Sequence, residues 1–287
     1  MSNLYNKTKK FVIKNKVYLI IIIFTLIALI VWRSDSNCGT LSDFGLNLFT
    51  ELIGILITIG IVENIVKKQN KKNMLPAKAA MYREIQLFLS RLIGFWGEVY
   101  HNSVPGENPN TVTQLFSKES FENMGRYLNL NSNANVIPPT TWEQRFSSEG
   151  EDLYERGQKI MNRYYSNMDP EIFRYIHFLV DDSHFISTMK SISLIKSTDI
   201  LTKVPRPQNL SAYYPMPDTE ILDTVLKLFS WCETTYDELK ANGYHVYKVS
   251  VSYANKKNVD CPSSMMTKDE LNSQIQQFIN WQDSKQI

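Results

Sequence analysis

Two apolar stretches decide the architecture of this 287-residue chain: VYLIIIIFTLIALIVW at residues 17–32 and FGLNLFTELIGILITIGIVENIV at residues 44–66. The first carries no charged residue, and as a helix it would be about 24 Å long at ~1.5 Å per residue. Flanking lysines that extend towards the headgroups can make up the difference from a hydrocarbon core about 30 Å thick. The sequence therefore predicts a transmembrane hairpin of two helices, joined by a short exterior loop at residues 33–43.

Basic residues are distributed unevenly around this hairpin. Lysines are frequent in residues 1–16 and 67–76, whereas Arg33 is the one basic residue of the loop. Because basic flanks stay in the cytoplasm, we expect an inner-membrane protein with both termini cytoplasmic. The first helix ends in Trp-Arg-Ser-Asp at residues 32–35 rather than in a small-x-small cleavage site, so it should remain as a signal anchor. Four lysines after the second helix are expected to contact lipid headgroups: Lys67, Lys68, Lys71 and Lys72.

Glu51 is the unusual residue of the second stretch. Eleven residues separate it from Glu63, which is about 18 Å between the two Cα atoms along a helix. An apolar core of about 30 Å cannot fit between the two carboxylates, and Glu63 lies beside the basic flank. Glu51 is therefore expected at membrane depth. At about 100° per residue it shares a sector of roughly 60° with three neighbours; together they form the polar face: Asn47, Glu51, Gly54 and Thr58.

Small residues accompany this carboxylate. Thr50, Gly54 and Thr58 recur every four residues, a pattern that permits close contact between membrane helices. Three roles remain open for Glu51. Held protonated, it could hydrogen-bond within the hairpin or within a homo-oligomer. It could also line a pore or an ion path in such an oligomer, or lie at the interface as an ordinary surface residue.

Residues 77–287 predict a mostly α-helical soluble domain. Apolar residues recur at helical spacing from Ala77 to His101, with Pro76 at the first position of that helix. The pair Asp169-Pro170 predicts the start of another helix, from Glu171 to about Ile195. The loose alternation of residues 244–253 predicts either a lone strand or a continuation of the helix before it.

One group of side chains on the predicted helix 171–195 has the chemistry of metal ligands. His177, Asp181 and His184 are spaced i, i+4, i+7, and imidazole and carboxylate are ligand types for zinc or iron. The opposite side of this helix is apolar, so the preferred interpretation is a solvated or hydrogen-bonded surface. A metal site and a pH-responsive patch are the alternatives. No cofactor is predicted.

Composition and motifs argue against several classes of function. A net charge of +2 gives no bulk field for nucleic acid, and no such partner is expected. The motifs Gly-x-x-x-x-Gly-Lys, Gly-x-Ser-x-Gly and His-Glu-x-x-His are absent from the sequence, so no enzymatic activity is predicted. Cys38, Cys232 and Cys261 form no Cys-x-x-Cys pair. If a small ligand binds, we expect it near the rigid proline-rich connection Val204 to Pro217.

The segment Thr50-Glu51-Leu52-Ile53-Gly54 within the hairpin resembles a group of bacterial two-helix membrane proteins, many of which accompany anti-phage systems as membrane effectors. The resemblance covers residues 17–66. It implies a cytoplasmic sensor domain which, once activated by a small molecule or a protein, makes the hairpins assemble and disrupt the inner membrane. Two other functions stay open: a membrane-anchored scaffold that recruits a protein partner, and an enzyme tethered at the membrane surface.

Overall fold

The computed structural model describes residues 16–34, 39–251 and 260–285. These residues are mostly α-helical, which confirms the predicted helical class. The chain divides into two compact units, Met1–Leu75 and Pro76–Ile287. Cys38 lies outside the described residues.

The elements follow one another as a series of helices with one small antiparallel strand pair, in which Asn133 is opposite Thr141. In chain order they are α1 (Lys16–Ser34), α2 (Gly39–Ser103), α3 (Val112–Leu115), α4 (Lys118–Tyr127), β1 (Asn133–Ala134), β2 (Thr140–Thr141), α5 (Trp142–Tyr164), α6 (Pro170–His177), a π-helical turn (Phe178–Asp182), α7 (Phe185–Thr202), a 3₁₀ turn (Leu210–Ala212), α8 (Thr219–Ala241) and α9 (Lys268–Lys285).

In the first unit, α1 and the start of α2 pack closely against each other. A Cβ built on Gly45 would lie 2.7 Å from the backbone nitrogen of Trp32 and 3.2 Å from the carbonyl oxygen of Ala28, so only glycine permits this approach. Ala28 is buried, and the rings of Trp32 and Phe49 stack with centroids 6.3 Å apart. One described helix, Asp43–Ser103 within α2, is long and apolar enough to cross a membrane.

The core of the second unit is built around aromatic rings on four helices and the segment that precedes α8. Trp96 of α2 is fully buried, and its ring centroid lies 4.6 Å from that of Phe121 and 5.6 Å from that of Phe146. Phe185 and Tyr214 complete the cluster. The Tyr214 hydroxyl donates to the Phe185 carbonyl at 3.0 Å, and burial raises the pKa of this phenol well above its usual value. Burial of each large apolar side chain contributes about 1.5–3 kcal/mol.

Two glycines let α5 approach its neighbours. A Cβ on Gly150 would lie 2.6 Å from the backbone nitrogen of Lys190 in α7, and one on Gly157 would lie 2.4 Å from Cγ2 of Val180 in the π-helical turn. The two glycines are seven residues apart and so share one face of α5. That face is therefore in direct backbone contact with the interrupted helix opposite it.

The structure differs from the sequence prediction at Pro76. This proline lies inside α2 rather than at the first position of a new helix. An interior proline removes one backbone hydrogen bond and costs about 3 kcal/mol in an isolated helix. The residues before it are good helix formers and include no glycine, so the helix continues through it.

The described part of residues 244–253, Tyr244 to Val251, is neither strand nor helix, so both alternatives for it were wrong. We call residues 244–251 the strap. Side chains of α2 bind its backbone, because the Tyr82 hydroxyl donates to the carbonyl oxygen of Tyr247 at 2.7 Å. A backbone bound by side chains has no need of a partner strand.

Candidate functional site

The polar face of α2 is exposed in the structure. Asn47, Glu51, Gly54 and Thr58 are all exposed, and a Cβ built on Gly54 would meet nothing within 4 Å. A different stripe of α2 is buried or half-buried, and it repeats every three or four residues: Gly45, Phe49, Leu52, Leu56, Ile59 and Glu63. Since Gly45 and Phe49 contact α1, the polar face points away from that helix.

The hydroxyl groups near the polar face are bonded within their own helix. Thr58 Oγ1 donates to the carbonyl oxygen of Gly54 at 2.8 Å, and Thr50 Oγ1 donates to that of Asn47 at 2.9 Å. No hydrogen bond joins the side chain of Glu51 to another residue in the described part of the chain. The carboxyl of Glu51 and the amide of Asn47 are therefore the groups of this face that would need a partner in an apolar solvent.

The basic run after the apolar part of α2 is helical rather than a separate segment. The side chains of Lys68 and Lys72 are exposed. Those of Lys67 and Lys71 lie outside the described residues. Exposed lysines at the end of an apolar helix suit contact with anionic headgroups, which stays a prediction.

The predicted metal ligands do not converge. His177 ends α6, Asp181 lies in the π-helical turn, and His184 follows it in the left-handed conformation with φ 57°. Asp181 accepts two hydrogen bonds from Gln158 Nε2, at 2.9 and 3.0 Å. Nδ1 of His177 lies 3.0 Å from Oδ2 of Asp182. Across residues 16–34, 39–251 and 260–285, no three His, Cys, Asp or Glu side chains are arranged to hold a metal ion.

The prediction of one helix from Glu171 to Ile195 was therefore wrong. The π-helical turn inserts an extra residue into the helical repeat, and the left-handed His184 then separates α6 from α7. Val180 of the π-helical turn lies against Gly157 of α5. Neither the π-helical turn nor the left-handed residue could be read from the periodicity of this segment alone.

A polar cavity of about 470 Å³ lies at the proline-rich connection, where the sequence predicted that a ligand would bind. Its lining includes Lys196, which is 5% exposed. Lys196 Nζ lies 2.8 Å from a carboxylate oxygen of Glu143 and also bonds Asn131. On the same lining, Asp199 accepts from Arg206 at 2.7 and 3.2 Å. The buried charges of this cavity thus neutralise one another, as in a structural ion-pair network.

Tyr213 closes one side of this cavity. Burial and the negative charge of Asp199 raise the pKa of its phenol to about 12. A neutral phenol with this pKa is not a general base at physiological pH. No motif in the sequence indicates the Lys196–Glu143 and Asp199–Arg206 pairs, because ion pairs of this kind join segments far apart in the chain or across a turn.

Comparison with protein-family models gives no match, and neither a curated protein nor a solved structure matches the chain.

Proposed function

We propose that this chain is a signalling or effector protein of the inner membrane. In this proposal α1 and the apolar part of α2 cross the membrane as a hairpin, both termini are cytoplasmic, and the helical domain from residue 77 onwards senses a small molecule or a protein. The observation that carries the proposal is the polar face of α2, which is exposed and points away from α1.

A bilayer makes this exposure unfavourable for a lone hairpin. An ionised carboxylate at the centre of a membrane helix costs about 2.5–3.5 kcal/mol by insertion scales. Apolar residues surround Glu51 on both sides along α2, and nothing in the described part of the chain covers it. A second copy that presents the same face would remove Glu51 and Asn47 from lipid and offer each of them a hydrogen-bond partner.

Gly54 makes such a contact sterically possible. With open space around its Cα, a neighbouring helix can approach the backbone at that level. Small residues at this spacing are typical of close helix pairs in membranes. We therefore propose a homo-oligomer held by the polar face, in which Glu51 is a packing residue. Assembly driven by the cytoplasmic domain would then perturb the membrane, in keeping with a role in phage defence.

Disulfide cross-linking in membranes tests the assembly. In a chain whose three cysteines are replaced by alanine, Thr58→Cys should form a disulfide-linked dimer on oxidation. Ile57→Cys is the matched control, because Ile57 is 57% exposed but lies about 90° from the centre of the polar face. Equal cross-linking at the two positions, or none at position 58, would refute assembly through this face.

A membrane-potential dye separates an effector from a scaffold. Over-expression of the wild-type chain should depolarise the cell, and substitution of Glu51 by leucine or of Gly54 by a large residue should prevent this. An intact potential with the wild-type chain under every trigger would instead favour a non-catalytic scaffold that recruits a protein partner.

A further inference from the structure

The strap is fixed along one face of α2 by three side chains spaced four residues apart. The Tyr82 hydroxyl donates to the carbonyl oxygen of Tyr247 at 2.7 Å, and Gln86 Nε2 donates to that of Lys248 at 3.1 Å. Ser90 Oγ accepts from the backbone nitrogen of Ser250 at 2.9 Å. The repeat matches the helix period, so the strap follows α2 over two turns.

A cavity of about 590 Å³ lies between α2 and the start of the strap. It is larger than the cavity at the proline-rich connection, and its size is within the range of small-molecule sites, about 300–1,000 Å³. Its lining comes from two stretches, residues 79–87 of α2 and residues 245–247 of the strap. Because hydrogen bonds fix the strap to α2, the side of the cavity formed by residues 245–247 is an ordered part of the structure.

The lining of this cavity contains the basic side chains of Arg83 and His245 and no acidic side chain. Neither residue has an ion-pair partner in the described part of the chain, whereas the buried charges of the other cavity are paired. The acids whose charges act on Tyr82 include Glu233 of α8, which instead pairs with Lys248 at 3.4 Å. An unpaired guanidinium and an imidazole on the lining of one cavity favour an oxyanion, and guanidinium matches phosphate in shape.

Apolar and aromatic side chains make up most of the remaining lining, with Gln86 as a further polar residue. Ala79, Ala80, Leu87 and Val246 border the same space, and Leu87 is 44% exposed although it is a leucine on the domain's central helix. Tyr247, 79% exposed, adds an aromatic ring at the rim. A ligand that used the whole cavity would therefore carry an anionic group at one end and a hydrocarbon portion at the other.

We propose that this cavity, between residues 79–87 of α2 and residues 245–247 of the strap, binds an amphiphile with a terminal phosphate monoester and a net negative charge, with Arg83 and His245 on the phosphate and Leu87 and Val246 on the hydrocarbon. The ligand of this site would be what the cytoplasmic domain senses. This role in signalling rests on the proposed function. The phosphate can come from a membrane lipid or from a soluble phosphate ester, which share this chemistry.

Calorimetric titration of the full chain in dodecyl maltoside tests the site. Dihexanoyl phosphatidic acid is the probe, and dihexanoyl phosphatidylcholine, which partitions into the same micelles, is the control for partition. We expect saturable binding of the phosphatidic acid alone. R83Q and H245Q should each weaken it about tenfold, the effect of one charge-assisted hydrogen bond, and L87N should weaken it as well. R126Q, at an exposed arginine of α4, should leave binding unchanged.

Three results would overturn the proposal. Equal heats with phosphatidylcholine would show that no anion is recognised. Unchanged binding in both R83Q and H245Q would place the site elsewhere. Inorganic phosphate that binds as tightly as phosphatidic acid would show that the apolar lining contributes nothing. Thermal unfolding checks that each variant is folded. Arg83 and His245 are exposed and have no ion-pair partner in the described part of the chain, so their substitution should not unfold the protein. The binding assay does not depend on cross-linking at position 58, so the proposed ligand site and the proposed homo-oligomer can be refuted separately.

Discussion

Gly157→Ala should destabilise this protein even though alanine is the better helix former. The new Cβ would lie 2.4 Å from Cγ2 of Val180, which would have to move by about 1 Å to reach the 3.4 Å of ordinary contact. Val180 is fully buried in the π-helical turn, and a β-branched side chain has few alternative rotamers. Overpacking of this kind costs about 1–3 kcal/mol, and the gain in helix propensity returns about 1 kcal/mol. The expected net loss is about 1 kcal/mol.

Gly94→Ala is the matched control. Gly94 lies within α2, and a Cβ there would meet nothing within 4 Å. The same substitution should therefore stabilise the protein by about 0.5–1 kcal/mol. The melting temperatures of the two variants should differ by about 4–8 °C, at about 2–4 °C per kcal/mol for a domain of this size. Thermal unfolding of the full chain in detergent, followed by the fluorescence of the buried Trp96 and Trp142, measures both.

A double-mutant cycle isolates the contact itself. Val180→Ala removes the two methyl groups that the new Cβ would meet, so Gly157→Ala should be neutral or stabilising in that background. The expected coupling is about 1 kcal/mol. A Gly157→Ala variant that melts as high as Gly94→Ala, or a cycle without coupling, would refute the close packing of α5 against the π-helical turn.

Three further predictions concern thiols, the polar face and topology. Burial and the nearby charge of Glu233 raise the pKa of Cys232 to about 12, so at pH 8 its thiol is neutral as well as inaccessible. Iodoacetamide should therefore label the exposed Cys261 before Cys232, and peptide mass spectrometry measures the order. Glu51→Gln should retain the disulfide cross-link at position 58, because an amide still hydrogen-bonds, whereas Glu51→Leu should weaken dimerisation about fivefold, the effect of one membrane hydrogen bond; equal behaviour of both variants and wild type would make Glu51 an ordinary surface residue. A reporter fused after Ile287 should be active only in its cytoplasmic form, and an exterior signal would rule out the proposed topology.

Local signals in the sequence predicted local structure well. Asp169 caps α6 through a 2.8 Å hydrogen bond from the backbone nitrogen of Glu171. A second local pattern, the capping-box spacing of Thr267 and Glu270, forms a reciprocal cap before α9 in the structure. Each depends on residues at most three positions apart, so the chemistry of the cap is visible in the sequence.

The errors arose where distant residues decide the structure. The π-helical turn packs its Val180 against Gly157 on another helix, and the left-handed His184 follows that turn. The strap resembles a strand in sequence, but its backbone is satisfied by side chains of α2, over 150 residues earlier in the chain. For the same reason, nothing in the sequence joined Arg83 to His245, since the strap alone brings them to one cavity.

The orientation of the polar face has a physical cause in the composition of α1. Between residues 19 and 31, α1 has one polar side chain, Thr25, and its Oγ1 donates to the carbonyl oxygen of Ile21 at 2.8 Å. Had α2 turned Glu51 towards the middle of α1, the carboxyl would have faced mainly aliphatic side chains. Gly45 and Phe49 instead give α1 a small residue and a ring to pack against. The contact between α1 and α2 is thus completed without Glu51. In the proposed homo-oligomer the partner of its carboxyl is the same face of another copy, and this is the reason to propose self-assembly ahead of a role within the single chain.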